Sequence, residues 1–147
     1  MLLEDLQDPG NVGTIMRCAA AAGASHVLMT KGCAFAWSPK VLRAAQGAHF
    51  HLDIVENADV ASVAAAFSGH VAAAMPRAER SLFDTDLRGP LLLLVGNEGA
   101  GLSAAAVAAS TLQLAIPMPG GFESLNAASA TAICLFEKVR QERALRV

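Results

Sequence analysis

Short apolar runs alternate with alanine-rich, helix-forming segments along the whole 147-residue chain. Each apolar run is four to six residues long, which is the length of a β-strand, and glycine, proline or polar residues separate it from the next segment. Strands that are separated by helices pair in parallel, because the connection has to cross a face of the sheet. The pattern therefore predicts one α/β domain over residues 1–147, with a mostly parallel sheet and helices on both faces.

The predicted strands cover residues 2–6, 26–29, 50–55, 70–75, 91–95 and 112–116. The predicted helices cover residues 12–22, 40–46, 58–67, 103–109 and 123–145. The LLLLV run at residues 91–95 is the most apolar, so we expect this strand at the centre of the sheet, covered on both faces.

Composition excludes several classes of protein. Hydrophobic residues make up 54% of the chain and charged residues 16%, which is typical of a folded domain and not of a disordered one. No apolar run approaches the roughly 18 residues that span a bilayer, and the N-terminus lacks a secretory signal. We expect a cytoplasmic protein with no membrane association.

Metal binding and disulfide bonding are not predicted. The three cysteines, Cys18, Cys33 and Cys134, are scattered and form no C-x-x-C motif. The four histidines have no spacing that completes a set of metal ligands. The net charge of −2 does not indicate nucleic-acid binding by the whole surface, so an RNA-binding function would need a local basic surface.

Three polar, glycine-containing segments follow predicted strands and should converge, because ligands bind beyond the carboxyl ends of strands in open α/β sheets. The first is NVGTIMR at residues 11–17. Asn11 is predicted to cap the first helix, and Gly13 would allow a close approach of the backbone. Arg17 lies in an otherwise apolar helix, so it either reaches solvent or meets an anion.

The second segment is GNEGAGL at residues 96–102, with the glycine spacing G-x-x-G-x-G. Glu98 would repel a pyrophosphate, so a cationic or neutral ligand suits this loop better than a dinucleotide. The alternative is a tight turn between a strand and a helix.

The third segment is IPMPGGFESLN at residues 116–126. Its prolines and glycines make a shaped loop, and Ser124 and Asn126 are expected in the first turn of the last helix. The alternative is an ordinary capped helix start.

Together the segments match N-x-G-x-x-x-R, G-N-E-G-x-G-L-S and I-P-M-x-G-x-x-E-S-L-N. In order and spacing they resemble the three signature motifs of the SpoU (TrmH-like) RNA methyltransferases of the SPOUT superfamily. The segment SPKVLRA at residues 38–44 also looks like this family, so the resemblance covers essentially the whole chain.

The resemblance implies an RNA 2′-O-ribose methyltransferase that acts on tRNA or rRNA as a homodimer and needs no metal. It implies a C-terminal trefoil knot that holds S-adenosylmethionine and, after reaction, S-adenosylhomocysteine. It leaves open whether the 147 residues are the C-terminal part of a longer protein with an N-terminal RNA-recognition domain.

The resemblance also assigns site residues. The residues expected to bind the cofactor are Leu94, Gly96, Asn97, Glu98, Gly99, Ile116, Met118, Ser124, Leu125 and Asn126. Those expected to take part in catalysis are Arg17, Asn11, Glu98, Ser124 and Asn126. Arg17, Lys40 and Arg43 are expected to contact RNA. Because a guanidinium stays protonated, a positioning and charge-stabilising role for Arg17 is easier to defend than base chemistry.

Two other functions are considered. A catalytically inactive RNA-binding or assembly protein could share this fold. A nucleotide-binding oxidoreductase domain would need a pyrophosphate site after the first strand, where the glycine spacing is wrong.

Overall fold

The computed structural model describes residues 1–144 of the chain. Its strands are β1 Leu2–Leu3, β2 His26–Met29, β3 Asp53–Val55, β4 His70–Ala74, β5 Arg80–Ser81, β6 Leu91–Val95 and β7 Leu112–Ala115. Its α-helices are α1 Pro9–Ala21, α2 Pro39–Ala45, α3 Val60–Ala66, α4 Ala104–Ala109 and α5 Ala127–Arg143. Short 3₁₀ helices cover Ala48–Phe50 and Leu82–Asp84.

Within residues 1–144, the seven strands form one sheet in the order β3-β2-β1-β6-β4-β7-β5. The neighbouring strands all pair in parallel. β6 is the central strand, and its residues Leu92 to Val95 are buried. The predicted mostly parallel sheet and its apolar central strand are confirmed.

Helices cover both faces of this sheet, and the alternation of side chains along each strand divides the core in two. Leu3 and Val95 point into one apolar cluster, which includes residues of α1, α2 and α5. Leu2 and Leu94 point into a second cluster, which includes Val60 of α3 and Ala106 of α4. Within residues 1–144, none of the helices combines the length and the apolarity needed to cross a bilayer.

The packing of α1 against α2 explains Gly13. A Cβ atom at this position would lie 2.5 Å from the Cβ of Ala44 and 2.6 Å from the carbonyl oxygen of Val41. Gly13 therefore allows a close approach between two helices.

The starts of two helices differ from the prediction by three residues or more. α1 begins at Pro9, because the Asp8 carboxylate accepts the backbone N–H of Asn11 at 2.8 Å and caps the helix, so the prediction that Asn11 is the cap was wrong. α5 begins at Ala127 and not at residue 123, since the Asn126 side chain accepts the backbone N–H groups of Ala128 and Ser129. The predicted last residue of this helix, Leu145, lies outside the described residues.

Two strands are shorter than predicted, and one strand was not predicted. The first strand covers only Leu2–Leu3, and the strand predicted at residues 50–55 is restricted to Asp53–Val55. The edge strand Arg80–Ser81 was missed, because two polar residues show no hydrophobic alternation and only the neighbouring β7 pairs with them.

Candidate active site

A cavity of about 600 Å³ lies where β1, β4, β6 and β7 end. All three segments singled out in the sequence contribute to it, together with residues that follow β4. The residues that line it are Asn11, Ala74, Met75, Pro76, Val95, Gly96, Asn97, Glu98, Gly99, Ala100, Gly101, Leu102, Leu114, Ile116, Met118, Ser124, Leu125, Asn126, Ala127, Ala130 and Thr131. The expected convergence of the three segments is thus present in the fold.

The glycine-rich loop after β6 is folded tightly on itself. Asn97 and Gly101 exchange backbone hydrogen bonds of 3.1 and 2.9 Å, and Gly101 has a φ of +71°. A Cβ atom on Gly96 would lie 2.3 Å from the backbone of Gly101 and Leu102. The Asn97 Oδ1 accepts the backbone N–H groups of Gly99 and Ala100 at 2.9 Å. This loop therefore presents a fixed backbone edge to the cavity.

The loop is also joined to the segment between β1 and α1. The Asn97 amide donates a hydrogen bond to the carbonyl oxygen of Asp5 at 2.7 Å. The buried Glu4 carboxylate accepts the Ser103 backbone N–H at 2.8 Å and the Ser103 hydroxyl at 2.7 Å. Glu4 and Asp5 thus hold the two ends of the glycine-rich loop.

Glu98 connects this loop to the start of α1. Its carboxylate accepts the backbone N–H groups of Gln7 at 3.4 Å and Asp8 at 3.1 Å, and the side-chain amide of Asn11 at 3.3 Å. Partial burial raises the pKa of Glu98, but hydrogen bonds from backbone N–H groups and from Asn11 outweigh it and hold the pKa below its ordinary value. Glu98 is therefore a carboxylate at neutral pH.

Asn11 continues this network to the third segment. The amide nitrogen of Asn126 donates a hydrogen bond to the Asn11 Oδ1 at 2.9 Å. Because Asn126 also caps α5, one side chain sets both the start of that helix and its distance from α1. The structure thus links Glu98, Asn11 and Asn126, one residue from each segment, by direct hydrogen bonds.

Four of the predicted site residues lie elsewhere. Leu94 is fully buried in the second apolar cluster, on the opposite face of the sheet, and is not among the lining residues. The neighbouring Val95 lines the cavity instead, because consecutive strand residues point to opposite faces. Arg17, Lys40 and Arg43 are exposed and lie outside the cavity.

Several lining residues were not predicted. Leu114 and Val95 come from the strands, and Ala127, Ala130 and Thr131 come from one face of α5. Their spacing at positions i, i+3 and i+4 could have identified the helix residues, once the start of α5 was known.

The cavity combines an apolar wall with a polar edge. No lysine, arginine or histidine is among the residues that line it within the described part of the chain, and Glu98 contributes a negative charge. A ligand with phosphate groups is therefore disfavoured. A cationic or neutral ligand with an apolar portion fits, as the sequence predicted.

We expect Glu98→Gln to lower the free energy of unfolding by less than about 1 kcal/mol at neutral pH. A carboxyl whose pKa is lower in the folded than in the unfolded chain stabilises the fold above its unfolded pKa, and this contribution disappears as the pH falls through the folded value. The difference between the variant and the native chain should therefore shrink below about pH 4.3. Urea unfolding at a series of pH values measures it.

Glu79→Gln is the matched control, because Glu79 is exposed and its side chain makes no hydrogen bond within residues 1–144. A Glu98→Gln effect that persisted unchanged at low pH would show that charge is not the cause.

Comparison with known proteins gives one consistent result. The model of the SpoU rRNA Methylase family matches residues 1–136. An uncharacterized tRNA/rRNA methyltransferase of Synechocystis is 38% identical over 145 residues, covering 97% of this chain and 53% of that protein. The 23S rRNA (guanosine(2553)-2′-O)-methyltransferase RlmP of Bacillus subtilis is 37% identical over 148 residues, covering 92% of this chain and 56% of that protein.

A solved structure agrees. The SpoU methyltransferase AviRb of Streptomyces viridochromogenes, in complex with the cofactor AdoMet, superposes with a TM-score of 0.89 at 34% identity, covering 97% of this chain and 57% of that one. The chain spans about half the length of the curated relatives that it matches.

Proposed function

Because this chain belongs to the SpoU rRNA methylase family, we propose that it is the catalytic domain of an RNA methyltransferase. The domain uses S-adenosylmethionine and transfers its methyl group to a ribose 2′-hydroxyl. One observation carries the proposal: the three segments that resemble the family's motifs line a single cavity, and Asn11 is hydrogen-bonded to both Glu98 and Asn126.

The residues present fit S-adenosylmethionine. The cavity volume of about 600 Å³ lies within the range of about 300 to 1,000 Å³ that small-molecule sites occupy. Leu114, Ile116 and Leu125 offer an apolar surface to a purine, and the backbone of the glycine-rich loop offers hydrogen-bonding groups. The absence of lysine and arginine from the lining within residues 1–144, together with the Glu98 carboxylate, suits a ligand with a positive charge.

The residues expected to hold this cofactor come from two segments that line the cavity. The loop after β6 contributes Gly96, Asn97 and Gly99, and the segment after β7 contributes Met118, Ser124, Leu125 and Asn126. When bound, S-adenosylmethionine supplies a methyl group on a positively charged sulfur, which is electrophilic without help from a metal.

This chain's own residues have to align the ribose 2′-hydroxyl with the methyl group and stabilise the charge that develops on the 2′-oxygen. In the proposal, Arg17 holds an RNA phosphate and stabilises the negative charge that develops on the 2′-oxygen as its proton passes to solvent water. The transfer would leave S-adenosylhomocysteine as the second product. Arg17 is exposed on α1, so RNA can reach its guanidinium. Asn11, held between Glu98 and Asn126, orients the start of this helix.

The remaining parts of the proposal follow the family. The substrate is a tRNA or an rRNA, since the relatives are named for these RNAs. The C-terminal region forms a trefoil knot around the cofactor, and two copies form a homodimer in the cytoplasm. Residues 1–147 act as one catalytic unit in this proposal.

Calorimetry with S-adenosylhomocysteine tests the site. We expect saturable binding to the native chain, and at least about tenfold weaker binding to Ala130→Phe, because a ring on this lining residue would occupy the cavity. Ala65→Phe is the matched control, since Ala65 is exposed on α3 and does not line the cavity.

Transfer of labelled methyl groups to total tRNA and rRNA then tests the reaction. A folded native chain that binds no S-adenosylhomocysteine would contradict the proposal and favour the inactive RNA-binding or assembly protein.

A further inference from the structure

Three exposed aromatic rings lie near α2, outside the cavity. The side chains of Phe35, Trp37 and Phe50 are 59%, 50% and 92% exposed. A single exposed ring is ordinary on a protein surface, but a group of large exposed apolar side chains marks a binding surface. With the two cations of α2, Lys40 and Arg43, we call these residues the aromatic–basic patch.

Contacts through His49 and a turn at Phe35 hold the backbone segments that carry these rings. The Trp37 and His49 ring centroids are 4.8 Å apart, and the His49 Nε2 lies 2.8 Å from the carbonyl oxygen of Ala36. A turn links Phe35 to Ser38 by a backbone hydrogen bond of 3.1 Å, and Phe50 directly follows His49. The segment before α2 and the 3₁₀ helix Ala48–Phe50 are therefore held together, so the rings are presented without being buried.

Two cations and one carboxylate lie around these rings. Lys40 and Arg43 are exposed and lie three residues apart on α2, and neither side chain has an ion pair or hydrogen bond within residues 1–144. The carboxylate of Glu56 accepts the backbone N–H of Ala36 at 2.9 Å, which ties it to the loop backbone. With two cations against the one Glu56 carboxylate, these three groups carry a net positive charge, whereas the chain as a whole has a net charge of −2.

The part of the patch before α2 lies at the same edge of the sheet as the cavity. Phe35 and Trp37 belong to the loop that follows β2, and the parallel strand β1 beside it leads to Asn11 of the cavity. The backbone N–H of Ala34 also donates to the carbonyl oxygen of Leu6 at 2.8 Å, which joins the two loops. A ligand on the patch can therefore extend towards the cavity.

We propose that the aromatic–basic patch binds unpaired nucleotides of the RNA substrate. Bases stack on Phe35, Trp37 and Phe50, and the phosphates between them meet Lys40 and Arg43. Exposed aromatic rings beside cations are the features that bind single-stranded nucleic acid. An interface between two copies of the chain would instead be poor in charge at its core. The inference rests on the proposed function, to which it adds a surface that holds the substrate.

Trp37 makes the proposal directly measurable. It is the only tryptophan of a chain without tyrosine, so the tryptophan emission reports on this patch alone. We expect an oligouridylate of about 12 nucleotides to quench it saturably, with a Kd between about 1 and 100 µM at physiological salt.

The variants are compared through the anisotropy of the same oligouridylate carrying an end label. Trp37→Leu and Phe50→Leu should each weaken binding roughly tenfold, because each removes a stacking surface. The double variant Lys40→Gln, Arg43→Gln should reduce the slope of log K against log salt concentration by about 1.4, or about 0.7 for each lost phosphate contact.

Two matched controls lie away from the patch. Phe83 is 50% exposed in the 3₁₀ helix Leu82–Asp84, and Arg80 is exposed on β5, at the opposite edge of the sheet from β3. Phe83→Leu and Arg80→Gln should leave the affinity within about twofold of the native value.

Two results would overturn the proposal. The first is an oligouridylate affinity that Trp37→Leu and Phe50→Leu leave unchanged. The second is a change in Trp37 emission when the protein is concentrated without RNA, together with loss of the dimer in Phe50→Leu. This result would make the patch an interface between copies.

S-adenosylhomocysteine binding, measured on the same preparations, distinguishes failure of the patch from failure of the proposed function. If it is retained while the oligouridylate fails to bind, only the patch is wrong, whereas loss of both contradicts the proposed function.

Discussion

Arg17→Ala is expected to lower the rate of methyl transfer by about 100- to 1,000-fold, the usual cost of removing one group that stabilises developing charge. The same variant should bind S-adenosylhomocysteine with an affinity within about twofold of the native chain, because Arg17 lies outside the cavity. Single-turnover transfer and calorimetry measure the two quantities separately. A lower transfer rate with an unchanged S-adenosylhomocysteine affinity identifies a residue that acts on the ribose, whereas loss of a residue that holds the cofactor would lower both.

Arg80→Ala is the control for this experiment, since it removes an exposed guanidinium on β5, the edge strand farthest from β3. It should leave both quantities unchanged. Arg17→Lys is informative as well, because it keeps the charge but loses the planar donor geometry. Weaker S-adenosylhomocysteine binding in Arg17→Ala, in proportion to the lost rate, would assign Arg17 to the cofactor site and contradict our prediction.

Gly96→Ala is expected to weaken cofactor binding strongly, because the added methyl group displaces the glycine-rich loop. The added Cβ would lie 2.3 Å from backbone atoms of Gly101 and Leu102, and the backbone cannot yield as the end of a flexible side chain can. The loop must open, which breaks its hydrogen bonds between Asn97 and Gly101. We expect S-adenosylhomocysteine affinity to fall by at least about 100-fold, and the free energy of unfolding by about 1 to 3 kcal/mol.

Calorimetry and urea unfolding test this prediction together. Ala105→Ser, which also adds one heavy atom, is the control, because Ala105 is exposed on α4 and does not line the cavity. Native-like affinity in a folded Gly96→Ala chain would show that the loop geometry does not determine cofactor binding.

The cavity explains why an acidic residue occurs in a glycine-rich loop. Glu98 makes its hydrogen bonds to the start of α1, through the backbone of Gln7 and Asp8 and the side chain of Asn11. It thus joins two of the three segments that form the cavity and also contributes negative charge there. A single residue thereby disfavours phosphate-bearing ligands and maintains the geometry of the site.

Much of this site could be predicted from local patterns. Gly96, Asn97, Glu98 and Asn126 line the cavity, because loops that follow the strands of one parallel sheet emerge at the same edge of the sheet. The resemblance assigned Leu94 to the cofactor site, but its side chain faces away from the cavity. In a strand buried on both faces, the sequence shows five apolar residues and not which of them faces the site. The structure assigns Leu94 to one face and Val95 to the other.

The sequence by itself determined the parallel α/β architecture, the central strand and the segments that carry the site, because hydrophobic periodicity and turn residues act over a few neighbouring positions. Only the tertiary structure decided which side chains face one another. Asn11 was a plausible helix cap by sequence, but Asp8 caps α1 and leaves the Asn11 amide to bridge Glu98 and Asn126. Those partners lie 87 and 115 residues away along the chain, and contacts over such distances depend on the packing of the whole sheet.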